Sequence, residues 1–267
     1  MNITISSIGK HAALCALTLV SASALAQTYT FKIGGGYIDP RATSSDIKGT
    51  LPTGVGALPL YPVPPGNQLQ VQPKSTLLFS ISRSFNDNWE AELVLGVPPE
   101  HDVKLRVGDG VKATAATPNG VVATLPLQSQ VGVGVARHVA AYDGVVVAKV
   151  KQTAPTLFLN YKFLDASSAL RPYVGVGFNY THFKVTSTAA GDALYDDGPV
   201  RISSTDSIGL AFQAGANYKF DKNWSLNAAW ATAGVKNNVT INTNSSEQTL
   251  SYRFHPSVFS LMVGYQY

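Results

Sequence analysis

The sequence predicts an all-β fold: an eight-stranded antiparallel transmembrane β-barrel with short periplasmic turns and long extracellular loops. Three observations carry this. First, the final segment Ser257 to Tyr267 alternates Phe259, Leu261, Val263, Tyr265 and Tyr267 with Ser260, Met262, Gly264 and Gln266. Period-two patterning gives a strand one greasy face, and tyrosines at its end suit the closing strand of an outer-membrane barrel. Second, residues 1–26 read as a cleavable secretory signal. Lys10 and His11 precede an apolar run from Ala12 to Val20, and Ala24-Leu25-Ala26 fits a small-x-small cleavage site before Gln27. That run is too short to span a membrane, and no other stretch reaches about 18 apolar residues. Third, charged residues make up only 13% of the chain, against about 25% in soluble domains. Mean hydropathy is nevertheless only +0.07, as expected when lipid-facing residues alternate with small and polar ones.

The same facts bound the chemistry. The single cysteine, Cys15, lies in the signal. Leu14 before it is too large for a lipoprotein signal, so no lipid anchor is expected. The exported chain, 27–267, then has no disulfide framework. Formal net charge is +4, one less without Lys10, and the basic residues are scattered. This balance does not point to nucleic acid.

The strands follow in order. The first carries Tyr29, Phe31, Ile33 and Tyr37 against Thr30, Lys32, Gly34 and Gly36. The second carries Leu77, Phe79 and Ile81 against Ser80, Ser82 and Ser84. After Asn86-Asp87-Asn88 come Trp89, Ala91, Leu93 and Leu95 against Glu90, Glu92, Val94 and Gly96. The fourth sets Leu157, Leu159, Tyr161 and Phe163 against Phe158, Asn160 and Lys162. After Asp165 to Ser168, the fifth sets Val174, Val176, Phe178 and Tyr180 against Tyr173, Gly175, Gly177 and Asn179. The sixth runs from Ile208 to Phe220. After Asp221 to Asn223, the seventh holds Trp224, Leu226, Ala228 and Trp230. The terminal segment is the eighth. Eight strands of about ten residues suffice for a small closed barrel, and lipid requires closure because an open edge leaves backbone groups unpaired. Connections after strands two, four and six are short and the others long, matching periplasmic turns and outside loops. Phe85, Trp89, Tyr161, Phe163, Tyr218, Phe220, Trp224, Tyr265 and Tyr267 collect near the short turns, as an interfacial girdle would.

Two loops stand out. Residues 40–72 are proline-rich and expected to be extended. Between strands three and four, 102–107 and 145–151 alternate, predicting a tall hairpin above the bilayer. The apolar stretch Val121 to Ala141 between them is expected to form either a collecting mouth, a protein contact or a locally packed tip.

Inward positions divide the lumen. Lys32, Glu90, Glu92, Lys162 and Lys219 predict a charged floor whose opposite charges pair, since an unpaired buried charge is costly. Above it, Leu78, Val94, Phe158, Val258 and Met262 predict an apolar upper lumen, interspersed with inward glycines. So small a barrel has little room beyond its side chains, so a continuous watery pore is not expected. An apolar solute would enter from outside, stop at the floor and leave sideways into the bilayer. Glycines would weaken strand pairing. Pro98 and Pro99 would remove ladder donors at the rim, beside a rim histidine, His101. The competing expectation is a structural charged core and a barrel that conducts nothing.

His255-Pro256-Ser257 resembles the His-x-Ser of lipid A deacylase barrels. Its nearest acid is a loop Glu247, and Pro256 departs from that pattern, so hydrolysis is a remote alternative. His101, His138 and His182 are isolated, without metal spacing. No enzyme activity, metal or cofactor is expected.

The chain resembles the OmpW family. The resemblance rests on Asn88-Trp-Glu-Ala-Glu-Leu with Pro98-Pro99-Glu100-His101-Asp102, on Arg171-Pro-Tyr-Val-Gly-Val-Gly-Phe-Asn-Tyr-Thr-His-Phe183, on Ala211-Phe-Gln-Ala-Gly-Ala-Asn-Tyr, on Trp224 to Trp230 and on the terminal strand. Pro99 and Glu100 depart from the usual pattern after the first proline, and the segment between strands three and four is longer than usual. The resemblance implies an outer-membrane, pore-like protein surrounded by lipid and lipopolysaccharide that passes small hydrophobic molecules. It also implies a receptor role for phage or bacteriocin.

Overall fold

Period-two alternation becomes a closed wall once the backbone pairs. The computed structural model describes residues 28–267; the expected signal peptide, with Cys15, lies outside them. The first strands are β1 (Tyr29–Asp39), β2 (Lys48–Pro52), β3 (Leu60–Pro62), β4 (Gln68–Val71), β5 (Lys74–Ser84), β6 (Trp89–Gly96) and β7 (Glu100–Arg106). Helices α1 (Asp109–Ala115), α2 (Asn119–Val122) and α3 (Leu127–Ala140) follow, then β8 (Val146–Thr153), β9 (Thr156–Lys162) and β10 (Leu170–Ser187). The chain continues through α4 (Ala189–Tyr195), β11 (Arg201–Ser204), β12 (Ser207–Lys219), β13 (Trp224–Ala233), β14 (Val235–Asn242), β15 (Glu247–Phe254) and β16 (Ser257–Gln266).

The barrel runs β1-β5-β6-β9-β10-β12-β13-β16, and β16 pairs back onto β1; every neighbouring pair is antiparallel. All eight expected strands are present. Closure satisfies the backbone groups that lipid cannot. The alternation is visible within single strands: Phe31 and Ile33 are exposed while Lys32 between them is buried. The short turns form as their residues dictate. Asn86 Oδ1, for example, accepts from the N–H groups of Asn88 and Trp89, each at 2.9 Å, an Asx turn. Above these turns the girdle aromatics meet edge to face, Trp89 on Tyr161 at 5.1 Å and Trp224 on Tyr265 at 5.0 Å.

The opposite end carries a second body of structure. β7 and β8 form the expected tall hairpin. β10 is long enough to pair β9 with its lower half and β8 with its upper half. The sheet β10-β8-β7-β4 faces a second one, β11-β14-β15-β2-β3. Between them lies an apolar core that includes Leu69, Leu105, Val147, Leu194, Val239 and Leu250.

Two loop expectations change here. The proline-rich segment 40–72 is not merely extended; it supplies β2, β3 and β4. The stretch from Val121 to Ala141 is no open collecting mouth, because most of it is helix and α3 packs down. Val131, Val135 and Val139, one helical turn apart, are buried in the outer core. Arg137 ties α3 to its neighbours through Ala115 O at 3.1 Å and Asn119 Oδ1 at 2.8 Å.

Candidate functional site

The lumen floor is a closed polar network. Lys32 Nζ lies 2.7 Å from Glu92 Oε1 and 3.7 Å from Glu90 Oε1, and Lys162 closes on the other oxygen of Glu90. Two cations thus meet two carboxylates in the barrel interior, with Lys32 only 5% and Glu92 1% exposed. The remaining lone pairs are taken by neutral side chains. Ser80 Oγ donates to Glu92 Oε1 at 2.7 Å, and Asn160 Nδ2 donates to Glu92 Oε2 at 2.9 Å. Gln213 Nε2 bridges Asn160 Oδ1 and Glu92 Oε2 at 2.6 and 3.1 Å. Such saturation is what lets an ion pair persist out of water. A Cβ on Gly175 would come within 2.1 Å of Asn160 Oδ1, so this glycine is the space into which the amide reaches.

Lys32, Glu90, Glu92 and Lys162 are therefore brought together as expected. Lys219 faces the same lumen lower down, in a polar chamber of about 930 Å³ beneath the floor, and forms no ion pair among the described residues. Sequence reasoning missed Ser80, Asn160 and Gln213 as network members. Their signal was present, since each stands on the inward face of its strand, Asn160 directly between Phe158 and Lys162.

Above the floor lies a predominantly apolar cavity of about 780 Å³. Leu78, Val94, Phe158 and Val258 line it, together with Ala211 and Val235. Met262 does not; it is buried lower, across from Gly34 and Asn227 in the ladder. A second, narrow apolar pocket sits higher still, within the core between the two outer sheets, lined by Leu69, Val150, Phe183, Leu194, Tyr252 and neighbours. Gln152 lines both cavities.

The wall of the upper cavity is broken on one side. β6 and β9 pair up to Val94 and Thr156, and pairing resumes with Glu100 opposite Lys151. The intervening segments hold Pro98 and Pro99 on one side and Pro155 on the other, three residues without an N–H to donate. Within this break, Gln152 N–H donates to Pro99 O at 3.1 Å. Leu95 and Val97, exposed on the outer surface, also line the cavity. The glycines behave otherwise than expected: Gly34, Gly36, Gly175 and Gly177 all keep ladder partners on both sides. Their role is room, not weakened pairing, and the side chain of Leu78 fills the space over Gly36 and Gly96.

His101 is a correction. It does not stand at an open rim but is fully buried in β7. Its Nδ1–H donates to Gln72 O at 2.8 Å, while Nε2 has no partner. Burial holds its pKa below the ordinary histidine value. His138 Nε2 meets Leu194 O at 2.8 Å, and His182 Nδ1 meets Asp206 Oδ1 at 2.8 Å. Ser257 is buried and its hydroxyl accepts from Trp230 Nε1 at 3.3 Å, a packing role.

Known proteins share this pattern. A family model described as the OmpW family matches residues 121–267. Outer membrane protein W of Vibrio cholerae is 31% identical over 124 residues, 45% of this chain; the match spans about half of that relative's length, 55%. The crystal structure of the outer membrane protein OprG from Pseudomonas aeruginosa superposes with a TM-score of 0.66 at 23% identity, covering 91% of this chain and 96% of that one. The solid-state NMR structure of outer membrane protein AlkL gives 0.54 at 20% identity, covering 92% and 93%. At these identities the two structures speak for the fold alone.

Proposed function

The chain belongs to the OmpW family, and from that premise we propose that this outer-membrane barrel carries small hydrophobic molecules inward from the cell exterior and releases them sideways into the bilayer. The observation that carries the reading is one continuous arrangement. Two stacked apolar cavities share Gln152, end below on a neutral ion network in which Lys32, Glu90 and Glu92 are buried, and border a proline-interrupted wall. A solute in the upper lumen meets apolar side chains on nearly every side. Moving it down would break buried ion pairs, at a cost of several kcal/mol. Moving it outward through the Pro98–Pro99 and Pro155 break meets a sparser ladder, in which the prolines donate no N–H and the Gln152 N–H to Pro99 O bond must open.

The hydrophobic effect supplies the direction. An apolar solute gains about 25 cal/mol for each Å² withdrawn from water, first in the outer pocket and finally in lipid. The polar lipopolysaccharide surface, which such a solute crosses poorly, is bypassed. Leu78, Val94, Phe158 and Val258 form the apolar path in this reading. Lys32, Glu90, Glu92 and Lys162 form the stop, and Pro98 and Pro99 frame the exit.

The test is uptake of a medium-chain apolar tracer by cells with and without the barrel, with a polar tracer of similar size as control. Faster entry of the apolar tracer alone is expected. Equal rates for both strains would overturn the conduit. A second reading, a receptor for phage or bacteriocin, draws on the outermost helices, where Val121 and Leu127 are exposed; sensitivity of phage adsorption to deletion of 109–140 would favour it.

A further inference from the structure

The outer face of the β10-β8-β7 sheet carries charge in an arrangement that its own protein partners do not balance. Along β10, the lipid-facing residues run from Leu170 through Val174, Val176 and Phe178 to Tyr180, all exposed. Ten steps of ~3.3 Å along a strand tilted by about 40° rise about 25 Å, the height of the apolar band of such barrels. Tyr180 therefore marks the outer hydrocarbon boundary. The next outward residues are His182 and Lys184, both exposed.

At this level Lys184 stands directly across the antiparallel ladder from Lys151, and both side chains are exposed. Like charges directly opposite one another destabilise a sheet. Of the nearby carboxylates, Glu100 and Asp206 are committed elsewhere. Glu100, on the far side of Lys151 in the register, binds Lys149 at 3.1 Å. Asp102 stands opposite Lys149. Asp206 accepts from Tyr180 OH at 2.5 Å and meets His182 at 2.8 Å. Among the described residues, Lys151 and Lys184 form no ion pair.

The geometry points to a binding site for the phosphate groups of the outer-leaflet glycolipid, with Lys151 and Lys184 as its two cationic ligands and His182 at its lower edge. The pair sits just above the hydrocarbon boundary. Lysine stems can lie along the apolar wall with their ammonium groups at headgroup height. This face is on the side opposite the short turns, where the leaflet is glycolipid rather than phospholipid. The site also lies directly above the Pro99 and Pro155 break, so a bound glycolipid would lay its acyl chains across that part of the wall. The inference rests on the membrane orientation of the barrel and not on the conduit.

The test uses the full chain folded in nanodiscs of neutral phosphocholine lipid, titrated with three probes: bisphosphorylated lipid A, the same glycolipid after dephosphorylation, and phosphatidylglycerol. Retarded migration of the unheated barrel on a gel verifies folding of each variant. The expected result is phosphate-dependent binding of lipid A that weakens with salt, falls about 10- to 30-fold in K151Q/K184Q, and persists in K151R/K184R. Equal binding by K151Q/K184Q and the parent would overturn the site. Equal binding of lipid A and its dephosphorylated form would overturn the phosphate chemistry, and preference for phosphatidylglycerol would overturn the choice of glycolipid.

Discussion

Lys32 on β1 and Glu92 on β6 meet at 2.7 Å in the barrel interior, across the intervening strand β5, whose Ser80 donates to the same carboxylate oxygen. The pair links three strands and closes the lumen. Its removal should therefore be read in both stability and conduction.

Glu92→Gln leaves Lys32 with only the 3.7 Å contact to Glu90. Breaking a buried pair from one side costs about 3–5 kcal/mol. Urea unfolding in detergent micelles should show a loss of that order. The double variant Lys32→Met with Glu92→Leu should recover much of it. In planar bilayers, Glu92→Gln should raise ion conductance above that of the parent. Unchanged stability in the single variant would mean that the floor is not a coupled network.

Two glycines separate space from flexibility. A Cβ at Gly175 would strike Asn160 Oδ1, whereas one at Gly35 meets nothing within 4 Å. Gly175→Ala should destabilise the barrel by about 1–3 kcal/mol, the usual cost of overpacking. Gly35→Ala should leave the unfolding midpoint within experimental scatter.

Filling the upper cavity should slow transport without opening the floor. Val94→Trp and Phe158→Trp both place bulk in the apolar space they line. Each should reduce uptake of the apolar tracer while the folded fraction on a gel stays high. Normal uptake by both variants would remove these residues from the path.

Restoring donors at the wall should close it. Replacing Pro98, Pro99 and Pro155 together with threonine returns three N–H groups to the two facing segments. The expected outcome is slower amide exchange across 96–100 and 152–156, with reduced apolar uptake. Full uptake through a demonstrably paired wall would sink the lateral route.

His101 predicts a pH dependence of the outer sheets. Its folded pKa is depressed by burial, so between that value and the unfolded value, about 6.5, the unfolded chain binds more protons. Stability should therefore fall as pH drops below about 6.5 and level off below the folded pKa. Amide exchange in β7 and β4 should accelerate at pH 5 relative to pH 7.5. His101→Phe should lose most of that difference.

The eight barrel strands were legible because lipid outside and side chains inside impose one rule on every position. Lys32 between Phe31 and Ile33 can be assigned to a face from its neighbours alone. The same rule located Lys32, Glu90, Glu92 and Lys162 at one end of the lumen. It had less to say about the outer region. There Val131, Val135 and Val139 follow a helical period over only a few turns, and whether such a helix lies open or packs depends on what stands beneath it.

What the sequence by itself determined is thus the barrel, its orientation and the polarity of its lumen, because period-two alternation and loop length are local properties. Only the tertiary structure decided the rest. Register chose Asn160 and Gln213 to saturate Glu92, set Lys184 against Lys151, and ended the β6–β9 pairing at Val94 and Thr156, next to Pro155. Packing buried His101 and laid α3 over the outer core. These are pairings between residues far apart in the chain. Which strand neighbours which, and at what offset, is settled by closing the ladder around the whole barrel.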